Sequence, residues 1–167
     1  TTNGFKTLIY LMLLPLIAAL TFVFIKTPDF GDIEFVLGAN FEASGNFGSN
    51  QVSTVFGLAI LLAAYLWLVD FSVTGKRFLD LAILLLFAFQ GLLSFSRGGM
   101  IGGVLGVVIV VFYLSKTSKA SPSYAKLKLA KRYIIPTLIL LSVVFYVANK
   151  ITNNQLLLRY QDETTNT

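Results

Sequence analysis

The stretch LLSFSRGGMIGG, Leu92 to Gly103, sets one arginine, Arg97, between two long apolar runs. A guanidinium stays charged at physiological pH and offers its donors in a rigid fork, so its chemistry is anion binding and charge stabilisation. Phosphate oxygens match that fork in bidentate geometry, which makes a lipid-linked phosphate or diphosphate the natural partner. Acid–base and thiol chemistry lack their usual residues, because the chain has no histidine and no cysteine. That removes the commonest general base and metal ligand, along with disulfides, thiol nucleophiles and cysteine metal sites. Neither a metal nor a cofactor is expected.

The elements that must position Arg97 follow from composition. Hydrophobic residues make up 56% of the 167 residues, charged residues 13%, and the mean hydropathy is +0.78. No ordinary soluble domain has that balance, so the sequence reads as an integral membrane chain. The apolar runs are continuous rather than alternating, which predicts an all-α polytopic transmembrane helix bundle and not a barrel. About five spans are expected, over Thr7–Ile25, Gln51–Val69, Leu81–Ser96, Gly98–Ser115 and Tyr133–Ala148, with 149–167 beginning a periplasmic loop. All of 1–167 then forms a single transmembrane domain, expected to be part of a longer protein. The first run has 19 uncharged residues and no clear small-x-small cleavage site, so it reads as a retained span rather than a signal peptide.

Loop charge sets the expected direction. Lys6, Lys76, Arg77, Lys116, Lys119, Lys126, Lys128, Lys131 and Arg132 fall in one set of alternate loops, and Lys26, Arg97, Lys150 and Arg159 in the other, nine against four. Basic residues are retained in the cytoplasm, which places the N-terminus inside, Arg97 outside and the C-terminal segment in the periplasm. This asymmetry accounts for most of the net charge of +5, and no nucleic-acid partner is expected. The basic segment SKTSKASPSYAKLKLAKRY fixes topology and rests on membrane lipid headgroups. Asp70, Lys76, Arg77 and Asp80 read as a solvated inner turn. The external loop TPDFGDIEFVLGANFEASGNFGSN exceeds most connections and is a candidate for function as well as for a plain connector.

The third span has only 16 uncharged residues, roughly 24 Å of helix against about 30 Å of hydrocarbon. Gly98 and Gly99 are therefore expected to make a tight turn, with Arg97 at or just below the outer interface. Two readings fit that position: the side chain snorkels to lipid headgroups, or it faces the bundle and grips an anion. Gly98, Gly102 and Gly106 recur every four residues, as do Gly99 and Gly103, which predicts a face where another helix approaches closely.

Three segments, in this order, resemble one family. SFSRGGMIGGVLGVVIVVFYL is similar to the serine-arginine-glycine segment of the O-antigen ligase and polymerase superfamily, also called Wzy-C or O-antigen ligase-related. GNFGSNQVSTVFGLAILLAAYL resembles its segment in which a glycine-asparagine turn opens a transmembrane helix, although Ser49 stands where the pattern has proline. LLLRYQDET resembles the start of its periplasmic region, where a second arginine occurs. The resemblance implies part of a larger GT-C-like glycosyltransferase of the bacterial inner membrane. Its donor is a glycan on an undecaprenyl-diphosphate carrier, and its acceptor a glycolipid such as lipid A-core, a protein or another glycan unit. On this resemblance Arg97 matches the catalytic arginine that contacts the carrier diphosphate, and Arg159 the second one. The family's essential histidine has no counterpart here. A transporter or flippase segment, or a membrane scaffold without catalysis, are the other classes, and no internal repeat favours the former.

Overall fold

Uninterrupted apolar runs satisfy their own backbone only by coiling, and every regular element among the described residues is helical. The structure is a computed structural model that describes residues 2–35, 40–116, 137 and 139–161. Its helices are α1 (Thr2–Lys26), α2 (Ser49–Leu68), α3 (Arg77–Leu93), α4 (Arg97–Lys116), α5 (Ile139–Ile151) and the short α6 (Gln155–Gln161). A single 3-10 turn, Glu42–Ser44, lies between α1 and α2. Two helices, α1 and α2, are long and apolar enough to cross a membrane, while the apolar stretches Arg97–Tyr113 and Ile139–Ile151 are shorter. The basic segment 117–136 and the start of the fifth expected span lie outside the described residues.

Helix α2 sits centrally, packed on α4 most extensively and also on α3 and α1. Phe56 of α2 and Phe87 of α3 meet with ring centroids 5.6 Å apart, surrounded by Leu13, Leu66, Leu84 and Met100. The outward faces remain apolar: Phe24, Ile25, Val104, Val108, Ile109 and Phe112 are all exposed. A soluble monomer rarely leaves so continuous an apolar surface uncovered.

The α2–α4 seam selects between the two glycine series. A methyl group on Gly57 would lie 2.0 Å from the Gly99 carbonyl oxygen, and one on Gly99 would lie 2.3 Å from Ser53. Gly103 is equally confined by Gly57, and Gly106 abuts Leu61, whereas Gly98 and Gly102 face open space. The backbones thus touch along Ser53-xxx-Gly57 and Gly99-xxx-Gly103, a small-xxx-small contact.

Between α2 and α3 the chain turns through Asp70, which has a positive φ of 62° and pairs with Arg77. Asp80 corrects the expectation of a solvated turn. It is buried, and its carboxylate accepts hydrogen bonds from the Ser72 hydroxyl (2.6 Å), the Val73 and Thr74 amides and the Thr74 hydroxyl. A buried carboxylate persists where its lone pairs are satisfied in this way. Tyr10 of α1 packs on Phe71, so the N-terminal half of α1 lies at this end.

At the other end the loop after α1, the α3–α4 turn, the end of α5 and α6 converge. Ile33, Ala43, Leu93, Phe95, Ala148 and Leu156 form one buried cluster there. Gln90, fully buried on α3, ties the loop down by donating to the Ala43 carbonyl (2.7 Å) and the Thr27 hydroxyl (3.0 Å). The expectation that 149–167 opens a loop is corrected in part: α5 continues to Ile151, and 155–161 form α6. The Asn149 side chain closes the connection, accepting from the Leu157 amide and donating to Asn154, while Asn153 and Asn154 both take positive φ. Asparagine tolerates that conformation better than most residues.

Candidate functional site

The turn that presents Arg97 lies three residues earlier than the glycines suggested. Helix α3 ends at Leu93, the Ser94 hydroxyl donates to the Gly91 carbonyl at 2.6 Å, and Phe95 takes φ 59°. Gly98 and Gly99 instead belong to the first turn of α4, which begins at Arg97. The short connection works because the left-handed residue is Phe95, held by burial rather than by intrinsic freedom.

Arg97 donates from Nη1 to the main-chain carbonyl of Arg159, at 2.6 Å, across 62 residues of sequence. The two arginines named from the sequence are therefore brought to one place. The contact turns one prong of the Arg97 guanidinium to the main chain of α6. Arg159 itself is half-buried, and its Nε atom is buried without a hydrogen-bond partner. An unpartnered buried donor on a charged group costs about 1–3 kcal/mol or more, so such an atom calls for a hydrogen-bond acceptor.

Polar groups on neighbouring elements frame the pair. The Ser96 hydroxyl donates to Asn50 Oδ1 at 2.7 Å, joining the start of α4 to the start of α2. The Gly99 amide donates to the Ser53 hydroxyl at 3.1 Å, so α2 caps one of the open amides of α4. Next to Arg159, Tyr160 packs edge-on against Phe145 at 6.3 Å. Burial pushes the Tyr160 phenol above its ordinary pKa, and the Arg97 charge pulls it back. It stays protonated at neutral pH, a hydrogen-bond donor rather than a base. Among the described residues no three His, Cys, Asp or Glu side chains meet in a group that could hold a metal ion.

Two helix N-termini, those of α2 and α4, thus meet beside Arg97 and Arg159. Each terminus carries partial positive charge, and α4 adds a guanidinium at its first residue. The arrangement can bind an anion and stabilise negative charge growing on it; it holds no evident general base. Asn50, Ser96 and Tyr160 lie within the three segments that carry the resemblance, Asn50 as the asparagine of the glycine-asparagine turn, but the sequence assigned none of them a role. Their only signal was position: an asparagine opening an apolar helix, a serine before Arg97, and a tyrosine after Arg159. No protein-family model, curated protein or solved structure matches the chain.

Proposed function

We propose that this chain is a polytopic membrane region of an inner-membrane glycosyltransferase, which moves a glycan from an undecaprenyl-diphosphate carrier to an acceptor in the manner of O-antigen ligases and polymerases. The observation that carries the reading is the hydrogen bond from Arg97 to the main-chain carbonyl of Arg159, which brings two arginine residues to one end of an apolar bundle. A guanidinium pairs with phosphate oxygens in bidentate geometry, and a diphosphate carries enough oxygens for two such side chains. The exposed apolar faces of α1 and α4 support a lipid surround, which suits a lipid-linked donor.

In the proposed step the acceptor hydroxyl oxygen forms a bond to the anomeric carbon while that carbon's bond to the diphosphate oxygen breaks. The electron pair leaves with the undecaprenyl diphosphate, where Arg97 and Arg159 stabilise it. The acceptor proton passes to a general base, which the histidine-free chain would not supply in its commonest form. Orientation follows loop charge, with the Arg97 end periplasmic.

The test is transfer in proteoliposomes of the intact protein, with a radiolabelled undecaprenyl-diphosphate glycan and a panel of glycolipid, glycan and protein acceptors. Transfer that falls about a hundredfold in Arg97→Ala supports the reading. Absence of transfer from every donor, or transfer unaltered by Arg97→Ala, removes it.

A further inference from the structure

We infer that Phe95 is a positioning residue for Arg97: its left-handed backbone and buried ring form a latch through which the external loop and α6 set where the arginine points. Phenylalanine at φ 59° is an outlier, because its Cβ crowds the following carbonyl. Such a conformation persists only when the surroundings over-determine it. They do so here from three sides. The Phe95 ring is 2% exposed and stacks on Phe35 of the external loop, centroids 5.7 Å apart and planes 22° from parallel. Ile33 and Ala43 of that loop, Ala148 of α5 and Leu156 of α6 complete its cluster.

Two residues further along the chain is Arg97, and three residues beyond Leu156 is Arg159, whose carbonyl Arg97 grips. The same hydrophobic contact therefore fixes both ends of the Arg97–Arg159 interaction. If the external loop moves away, Phe95 loses its stacking partner and the turn is free to relax toward ordinary φ, which swings the start of α4. The external loop is thus more than a connector: its Phe35 holds the arginine in register. The latch itself rests on geometry, and only its catalytic consequence rests on the transferase reading.

Both parts are tested in the intact protein in lipid nanodiscs. These 167 residues hold no cysteine, so once any thiol elsewhere in the intact protein is replaced by serine, spin labels placed by Glu42→Cys and Leu158→Cys report the spacing of loop and α6. Phe35→Leu removes the flat ring and leaves the turn untouched, Phe35→Tyr keeps the ring, and Phe95→Gly frees the backbone as it deletes the ring. The expected result is a narrow distance distribution for the parent and Phe35→Tyr, and a broad one for Phe35→Leu and Phe95→Gly. In the transfer assay Phe35→Leu should lower kcat by about ten- to a hundredfold with KM little changed, as displacement of a charge-stabilising group does. It should cost nothing further once Arg97 is alanine, because both changes then act through one group. Narrow distributions in both Phe35→Leu and Phe95→Gly overturn the latch, and losses that add to that of Arg97→Ala overturn its action on Arg97. Should the parent transfer no glycan, the function reading fails while the distances still decide the latch.

Discussion

A guanidinium on the first residue of a helix stands against the helix dipole, so Arg97 is held where local electrostatics alone would not put it. What holds it is the fork, one prong of which donates to the Arg159 carbonyl, and in the proposed function the planar shape of that group is what matches a diphosphate. Arg97→Lys should therefore fail almost as badly as Arg97→Ala in glycan transfer, since an ammonium keeps the charge and loses the planar fork. The loss of a charged hydrogen bond in a partly dry site is on the order of 3 kcal/mol, or a hundredfold in rate. Near-normal transfer by the lysine variant would reduce Arg97 to a topological anchor. Arg159→Ala makes a cleaner test of the second arginine, because the carbonyl that receives Arg97 belongs to the main chain and survives the change. That variant should fold with an unchanged thermal midpoint and still lose transfer; full activity would assign Arg159 to packing. The phenol beside it stays protonated at neutral pH, so Tyr160→Phe should leave the shape of the pH–rate profile unchanged between about pH 6 and 9. A limb of that profile vanishing with the hydroxyl would make Tyr160 the titrating base. Arg97 was legible as an isolated charge in apolar surroundings, and Arg159 only through the family resemblance. A role for Asn50, Ser96 or Tyr160 was not legible, because their types are common at helix ends and only contact distinguishes them.

At the level of elements the α2–α4 seam is the feature on which the site depends, since it brings the N-termini of both helices together. Backbones in contact leave no room for a methyl group, so overpacking strain replaces the helix propensity that alanine would otherwise add. Gly99→Ala should destabilise the protein by about 1–3 kcal/mol, while Gly102→Ala, facing open space, should be neutral or slightly stabilising by under about 1 kcal/mol. Thermal unfolding in detergent compares the two directly, and equal midpoints would mean that the helices do not approach this closely. A four-residue glycine spacing announced a close approach but named two series equally. Rotation of α4 about its axis chose Gly99 and Gly103, and no local pattern encodes that angle.

For the molecule as a whole, the ends of the helices sort into two groups, and loop charge assigns each group a side. The loop between α1 and α2, the Ser94–Ser96 turn and α6 share one end, while the N-terminal half of α1 and the Asp70–Lys76 turn share the other. Glu42 and Lys76, exposed and one at each end, are the residues to probe. With cysteine at either position, an impermeant maleimide applied to intact spheroplasts should label Glu42→Cys and spare Lys76→Cys. The reverse pattern would invert the orientation and move the Arg97 site to the cytoplasm, away from any periplasmic acceptor. Ala43, in the same loop, is fully buried and would resist labelling on either side.

Helical class and the approximate reach of the first four apolar runs are set by composition along the chain. Each is a local transfer between water and an apolar medium, and it can be read residue by residue. The partnership of Arg97 with Arg159, the left-handed turn at Phe95 and the burial of Asp80 are of another kind. They rest on contacts between segments distant in sequence and on the rotation of whole helices, where a shift of one methyl group changes which atoms meet. A charge in an apolar run could be recognised from its own neighbours, but whether it faced lipid or a second arginine was decided only when α6 folded back and offered a carbonyl 2.6 Å away.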